Sequence, residues 1–127
     1  MKTNNILVLL TVFVVLTSCS KGFDDRLRGQ WQLKEYSEEN ESHEFSKVFY
    51  KFSKQVFAFQ SSDTILYGQF FQHEDSLMIE LPDQDHVPYS LTEIGWLTNK
   101  ETFYIRSLSS KKLELTQGNK YWRFRKF

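Results

Sequence analysis

Past residue 27 the chain is cut into short runs in which apolar and polar residues alternate, and polar turn signals separate one run from the next. A repeat of two is the side-chain period of a β-strand, and such a run buries only one of its faces. Trp31 and Leu33 fall on one face of the first run, with Gln30, Gln32 and Lys34 on the other. Val48, Tyr50 and Phe52 alternate with Phe49 and Lys51, and the pattern returns in Phe103 and Ile105, in Leu113 and Leu115, and in Trp122 and Phe124. A chain of this kind is constrained to form sheet.

Eight strands are predicted, near residues 28–36, 46–52, 55–60, 64–72, 76–81, 101–107, 111–116 and 120–127. Ser53-Lys54, Ser61-Ser62-Asp63, His73-Glu74-Asp75-Ser76, Ser109-Ser110 and Gln117-Gly118-Asn119 supply turns. Every link but one is short enough to join antiparallel neighbours. Closing such a meander into an all-β, up-and-down eight-stranded barrel removes its exposed edges. A β-sandwich is the alternative. Facing is ambiguous over 64–72, where Ile65, Tyr67 and Phe71 compete with Leu66 and Phe70, and Gly68 is a candidate bulge. Ser37 to Glu44 reads as a polar, acidic loop. Residues 89–99 combine a partly helical spacing of Leu91, Ile94, Trp96 and Leu97 with a breaker at Gly95.

The first 18 residues stand apart. Lys2 sits in a short positive segment, and Ile6 to Leu16 is apolar except for Thr11. That stretch is shorter than the roughly 20 residues a membrane-spanning helix needs, and its layout is that of a secretory signal. Leu16-Thr17-Ser18-Cys19 closes it and resembles the lipobox of bacterial lipoproteins. The resemblance implies cleavage before Cys19 and acyl chains upon it, with the membrane as a partner through those chains. Ser20, in place of Asp, resembles lipoproteins sorted to an outer membrane, and Asp24-Asp25 resembles the acidic tags of some surface-exposed ones. The predicted organisation is a leader over 1–18, a lipidated cysteine and short linker over 19–26, and one domain over 27–127. Cys19 is the only cysteine, so no disulfide within the chain braces the domain, and its core must hold it.

Sixteen basic and 16 acidic side chains cancel over the whole chain. That balance carries no nucleic-acid footprint. The basic run from Lys120 to Phe127 fits a strand with one solvated face.

Gly29-Gln30-Trp31 is similar to the Gly-x-Trp signature of lipocalins. Phe103-x-Ile105, Leu113-x-Leu115 and Tyr121-x-x-Phe124-x-x-Phe127 look like the closing strands of small lipocalin-like lipoproteins of bacterial envelopes. The resemblance implies a barrel closed around Gly29 and Trp31, with Arg123 or Arg125 of the last strand over Trp31 as a cation–π contact. Alternation complicates this, because both arginines face outward if Trp122 and Phe124 face inward. The opposite register points Arg123 and Arg125 inside with Tyr121 and Phe127, at the cost of burying charge. The inward-tryptophan register is favoured.

An eight-stranded barrel has an interior that side chains just fill, or that holds one small ligand. The chain contains 12 Phe, 6 Tyr and 3 Trp. On one reading, Trp31, Tyr50, Phe52, Phe57, Phe59, Phe103, Trp122 and Phe124 form a filled core. On the other, Tyr50, Phe52, Phe57, Tyr67, Phe103 and Trp122 line a pocket for a small apolar or amphipathic ligand. Two functions correspond: a lipid-anchored binding module of the cell envelope, or an interaction or inhibitor protein contacting another envelope component through its loops or outer face. A patch of exposed aromatics such as Phe49, Phe70 or Trp96 favours the second.

Motifs for chemistry are poor. His43, His73 and His86 stand far apart beside acids, without metal-ligand spacing. Asp83-x-Asp85 lacks the further oxygens of a calcium loop. There is no glycine-rich phosphate loop or nucleophile motif. The expectation is a non-enzyme that uses no metal and no cofactor.

Overall fold

The computed structural model describes residues 24–62, 64–82 and 87–127. The expected leader, Cys19 and the first part of the expected linker lie outside the described residues, as do Asp63, Asp83, Asp85 and His86.

A 3₁₀ turn (Asp25–Leu27) leads into β1 (Gly29–Glu38), β2 (Glu41–Glu44), β3 (Phe49–Ser53), β4 (Val56–Gln60), β5 (Ile65–His73) and β6 (Ser76–Glu80). A helical turn, α1 (Tyr89–Thr92), precedes β7 (Lys100–Leu108), β8 (Lys112–Gln117) and β9 (Lys120–Lys126). Pairing is antiparallel throughout, and β1 pairs with β9, which closes the sheet. β2 and β3 both lie along the same side of β1: Glu35 to Glu38 pair with Glu41 to Glu44, and Gly29 to Gln32 with Phe49 to Phe52. They act as one strand interrupted at Ser46 and Lys47, so the ring is a closed, eight-stranded, all-β barrel. The β1–β9 pairing excludes a sandwich.

The stretch expected as a loop, Ser37 to Glu44, is a hairpin that turns at Glu39 and Asn40. β2 is exposed throughout. Its pairing is made by backbone groups, which a run of polar side chains does not reveal. Four two-residue turns place their first residue in the left-handed region, Glu39, Lys54, Glu74 and Gly118 at φ 56°, 53°, 55° and 60°. A left-handed turn residue matches the twist of the flanking strands.

Two bulges shift the alternation. The β1–β9 register slips between Leu33 and Glu35, so Trp31, Leu33 and then Tyr36 point inward. The β7–β8 register slips between Ile105 and Ser107, and after Phe103 and Ile105 it is Leu108 that turns back towards the core. β5 resolves in favour of Leu66 and Phe70 inside, with Ile65, Tyr67 and Phe71 outside. Its pairing with β4 runs through Gly68 without a shift, so there is no bulge there.

The 3₁₀ turn and the turns at Lys54, Glu74 and residues 109–111 mark one end of the barrel, the base. The turns at Glu39, residues 61–64 and Gly118, together with α1, mark the other, the mouth.

Candidate functional site at the ends and axis of the barrel

At the base Leu27 is fully buried, and its carbonyl accepts a hydrogen bond from Trp31 Nε1 at 2.8 Å. Lys126 crosses this point. Its Nζ lies 4.4 Å from the Trp31 ring centroid and donates to the Arg28 carbonyl. Gly29 has φ 124°, and a Cβ built there would stand 2.6 Å from Lys126 Nζ. The glycine of Gly-x-Trp is therefore required by its backbone conformation, and a side chain there would also displace the lysine laid over it.

The cation over Trp31 is thus Lys126, which corrects the expectation of Arg123 or Arg125. Arg123 faces outward, 4.0 Å from Glu35, and Arg125 is exposed. Parity explains the difference: Trp122, Phe124 and Lys126 share the inner face of β9, and only a residue at the barrel end can occupy that face while keeping a charge partly solvated. Burial holds the Lys126 ammonium below the ordinary lysine range.

Along the axis Tyr50, Phe52, Phe57, Phe103 and Trp122 are all at most 2% exposed. Tyr50 packs its ring 4.7 Å from that of Phe124 and 5.3 Å from that of Phe57, and Phe103 meets Trp122 edge-on at 4.9 Å. Such offset and edge-on contacts are the favoured aromatic geometries. Tyr67 does not join them. It is 62% exposed on the outer face of β5, because Leu66 and Phe70 take the inner face. Phe49, Phe70 and Trp96 do not form the exposed patch that favours a partner surface: Phe70 and Trp96 are buried, and Phe49 packs against Phe127 with ring centroids 4.9 Å apart.

The mouth is plugged by α1 and the turn after it. Leu91, Ile94 and Trp96 are fully buried. Trp96 Nε1 donates to Tyr50 Oη at 2.8 Å, and Trp122 Nε1 donates to the Ile94 carbonyl at 2.7 Å. All three indole N–H groups of the domain are therefore satisfied inside it. Burial pushes the Tyr50 hydroxyl well above the ordinary tyrosine range. Gly95 has φ 90°, and a Cβ there would meet Tyr36 Oη at 2.6 Å; Lys120 Nζ donates to the Gly95 carbonyl at 2.9 Å.

Glu101 fastens the exit of the plug. It accepts from the Leu97 and Thr98 N–H groups at 3.0 and 2.8 Å and from Gln117 Nε2 at 2.9 Å. Burial by itself raises this carboxyl, but the donors outweigh it and hold Glu101 below the ordinary carboxylate range.

Outside the plug, a cleft of about 520 Å³ runs between residues 44–48, the β4–β5 turn and α1. Its lining is mixed: Ser61, Ser62, Thr64 and Ser90, with Glu44, Lys47 and Glu93, stand among Phe45, Val48, Pro88 and Tyr89. Ser90 Oγ is buried there without a hydrogen-bond partner among the described residues. Also among the described residues, no group of three or more His, Cys, Asp or Glu side chains is placed to hold a metal ion, and His43 and His73 are exposed.

Sequence reasoning missed Lys126, Glu101 and the inward course of Trp96. Lys126 was detectable, since it shares parity with Trp122 and Phe124. Glu101 was not, because its role depends on where a long connection ends.

A family model described as a lipocalin-like domain matches residues 14–127. The chain belongs to the lipocalin-like domain family. Among solved structures, it is similar to a lipocalin-like protein from Bacteroides uniformis at 29% identity, covering 80% of this chain and 99% of that one, with a TM-score of 0.71. An uncharacterized protein from Bacteroides eggerthii, 24% identical over 80% of this chain and 99% of its own, shares the fold at a TM-score of 0.71. No curated protein matches. In this lipocalin-like domain the axis is occupied by the chain's own aromatic rings.

Proposed function

We propose that this protein is a lipid-anchored lipoprotein of the cell envelope whose lipocalin-like domain acts through its surface, as a partner or inhibitor of another envelope component. One observation carries this reading: Trp96 and Tyr50, joined by a hydrogen bond, occupy the space beneath the mouth where an internal ligand would sit. A molecule entering there must displace a buried indole and leave the buried Tyr50 hydroxyl without its donor, a cost of several kcal/mol on the order of that for removing a core tryptophan. The anchor is supported by Leu16-Thr17-Ser18-Cys19 at the end of an apolar leader.

The test has two parts. Mass spectrometry of the protein isolated from host membranes is expected to find residue 19 as the acylated first residue, and a Cys19→Ala chain is expected to lose the acyl mass. Titration with a long-chain fatty acid, followed by tryptophan fluorescence, is expected to give no saturable change. Saturable one-to-one binding inside the barrel would overturn the surface reading.

The cleft favours a second reading. Its hydroxyls and carboxylates, the 78% exposed ring of Tyr89 beside them and Ser90 Oγ, which has no hydrogen-bond partner among the described residues, suit a small polyhydroxylated ligand. Neutral mono- and disaccharides titrated against the wild type and Ser90→Val test it. Affinity lost in the variant supports this reading, and no binding to either removes it.

A further inference from the structure

The two ends of the barrel carry opposite charge. The mouth exposes Glu38, Glu39, Glu41, Glu44 and Glu93, against Lys47 and Lys100. At the base, Lys54 sits in the β3–β4 turn, Lys111 and Lys112 at the β7–β8 turn, and Arg125 at the outer end of β9, all exposed. These positions follow one another around the rim, because β8, β9, β1 and β3 are successive neighbours in the closed sheet. Of the acids at the base, Glu74 and Asp75 occupy the β5–β6 turn away from this arc, Asp24 is paired with Arg26 at 2.8 Å, Glu114 is paired with Lys112 at 3.5 Å, and Asp25 is exposed in the 3₁₀ turn.

Apolar groups stand beside the basic arc. Val56 is 53% and Phe127 72% exposed. Phe127 is held in place, its N–H donating to the Gln30 carbonyl at 2.9 Å and its ring packed on Phe49.

The chain outside the described residues reaches the barrel at this same end. Asp24 sits at the base, its N–H bonded to Gln72 Oε1 at 2.8 Å. From Cys19 to Asp24 the chain spans at most about 18 Å, while a domain of this size has a radius of gyration of about 13 Å. A tether of that length on Cys19 holds the base, and not the mouth, against a bilayer.

We propose that the base of the barrel docks on the interface of an anionic bilayer through Lys54, Lys111 and Arg125, with Val56 and Phe127 entering the headgroup region. Docking in this way turns the acidic mouth and its cleft away from the membrane. The orientation rests on the anchored reading, but the chemistry of the face does not require acyl chains. Each basic side chain near an anionic surface contributes about a fivefold gain in affinity, and the attraction fades beyond a Debye length, roughly 8 Å at physiological salt.

The chain from residue 19 carrying Cys19→Ala, whose barrel closes within residues 24–127, is mixed with phosphatidylcholine vesicles with and without phosphatidylglycerol and sedimented. Binding is expected only with the anionic lipid and is expected to weaken with salt. Lys54→Glu, Lys111→Glu and Arg125→Glu together are expected to lower it by about 100-fold or more, whereas Lys47→Glu with Lys100→Glu at the mouth leaves it unchanged. Footprinting of the unaltered lysines with a water-soluble amine reagent gives the same information without depending on the triple variant folding. Vesicles are expected to protect Lys54 and Lys111 and to leave Lys47 and Lys100 reactive. Equal labelling at the two ends, or binding indifferent to the anionic lipid, overturns the docking face. An absence of acyl mass on Cys19 in the native protein overturns the anchor instead, and the thiol-free chain still decides the face.

Discussion

Replacing Trp96 with alanine removes the centre of the plug. The side chain is fully buried, its ring lies 5.6 Å from that of Phe103 and 6.4 Å from that of Tyr50, and its N–H is the donor to Tyr50 Oη. Truncating a buried tryptophan or phenylalanine costs about 3–5 kcal/mol in lost transfer energy and residual cavity. The stranded Tyr50 hydroxyl adds about 1 kcal/mol, or more if water does not reach it. A loss of about 4–6 kcal/mol is a large share of the roughly 5–15 kcal/mol that stabilises a domain. Urea denaturation followed by circular dichroism measures it, with an unchanged slope showing that the same surface is exposed on unfolding. Trp96→Phe keeps most of the ring and loses the donor, so about 1–2 kcal/mol is expected. Apolar cavities left by such truncations take up matching apolar molecules. Added indole is therefore expected to raise the stability of Trp96→Ala by linkage and to leave the wild type unaffected. A Trp96→Ala variant within 1 kcal/mol of the wild type, or an equal response of both to indole, refutes the seated plug.

Three further outcomes follow from the geometry. Lys126→Gln is expected to lower stability by about 1 kcal/mol through loss of the cation over Trp31, while Lys126→Arg retains most of it; paired chemical denaturation curves compare them. Glu101 has a folded pKa below its unfolded value of 4.5, so its stabilisation is fully present above about pH 4.5 and is lost as pH falls through the folded value. Glu101→Gln is thus expected to melt below the wild type at pH 7 and to converge with it in acid, in melting curves taken across that range. Glu74→Gly relieves a non-glycine residue at φ 55° and is expected to stabilise by about 0.5 kcal/mol, the strain relieved slightly exceeding the added chain entropy, as read from the urea midpoint.

Strand positions were legible because one face of each is buried, and that burial writes a period of two into the sequence. Where the period breaks, the reading fails for a physical reason. The bulges between Leu33 and Glu35 and between Ile105 and Ser107 turn Tyr36 and Leu108 inward, positions that uninterrupted alternation assigns to solvent. β2 carries no apolar face at all, so nothing in Glu41 to Glu44 marks it as a strand. The facing of β5 depended on its neighbours, and Tyr67 was misplaced with it. Arg123 and Arg125 drew attention as cations close to the Gly-x-Trp partner strand, yet parity had already assigned the inner face to Lys126. The plug was half visible: Leu91, Ile94 and Trp96 have the spacing of a buried turn, but their destination depends on a connection whose path local sequence does not set.

The interior of this lipocalin-like barrel is filled by the chain itself. Native mass spectrometry of the protein purified from its host, beside the Cys19→Ala chain, addresses it most directly. A filled barrel predicts the mass of the chain alone in the variant and of the acylated chain from residue 19 in the wild type. A small apolar molecule retained by both at one per chain, and released only on unfolding, would contradict it.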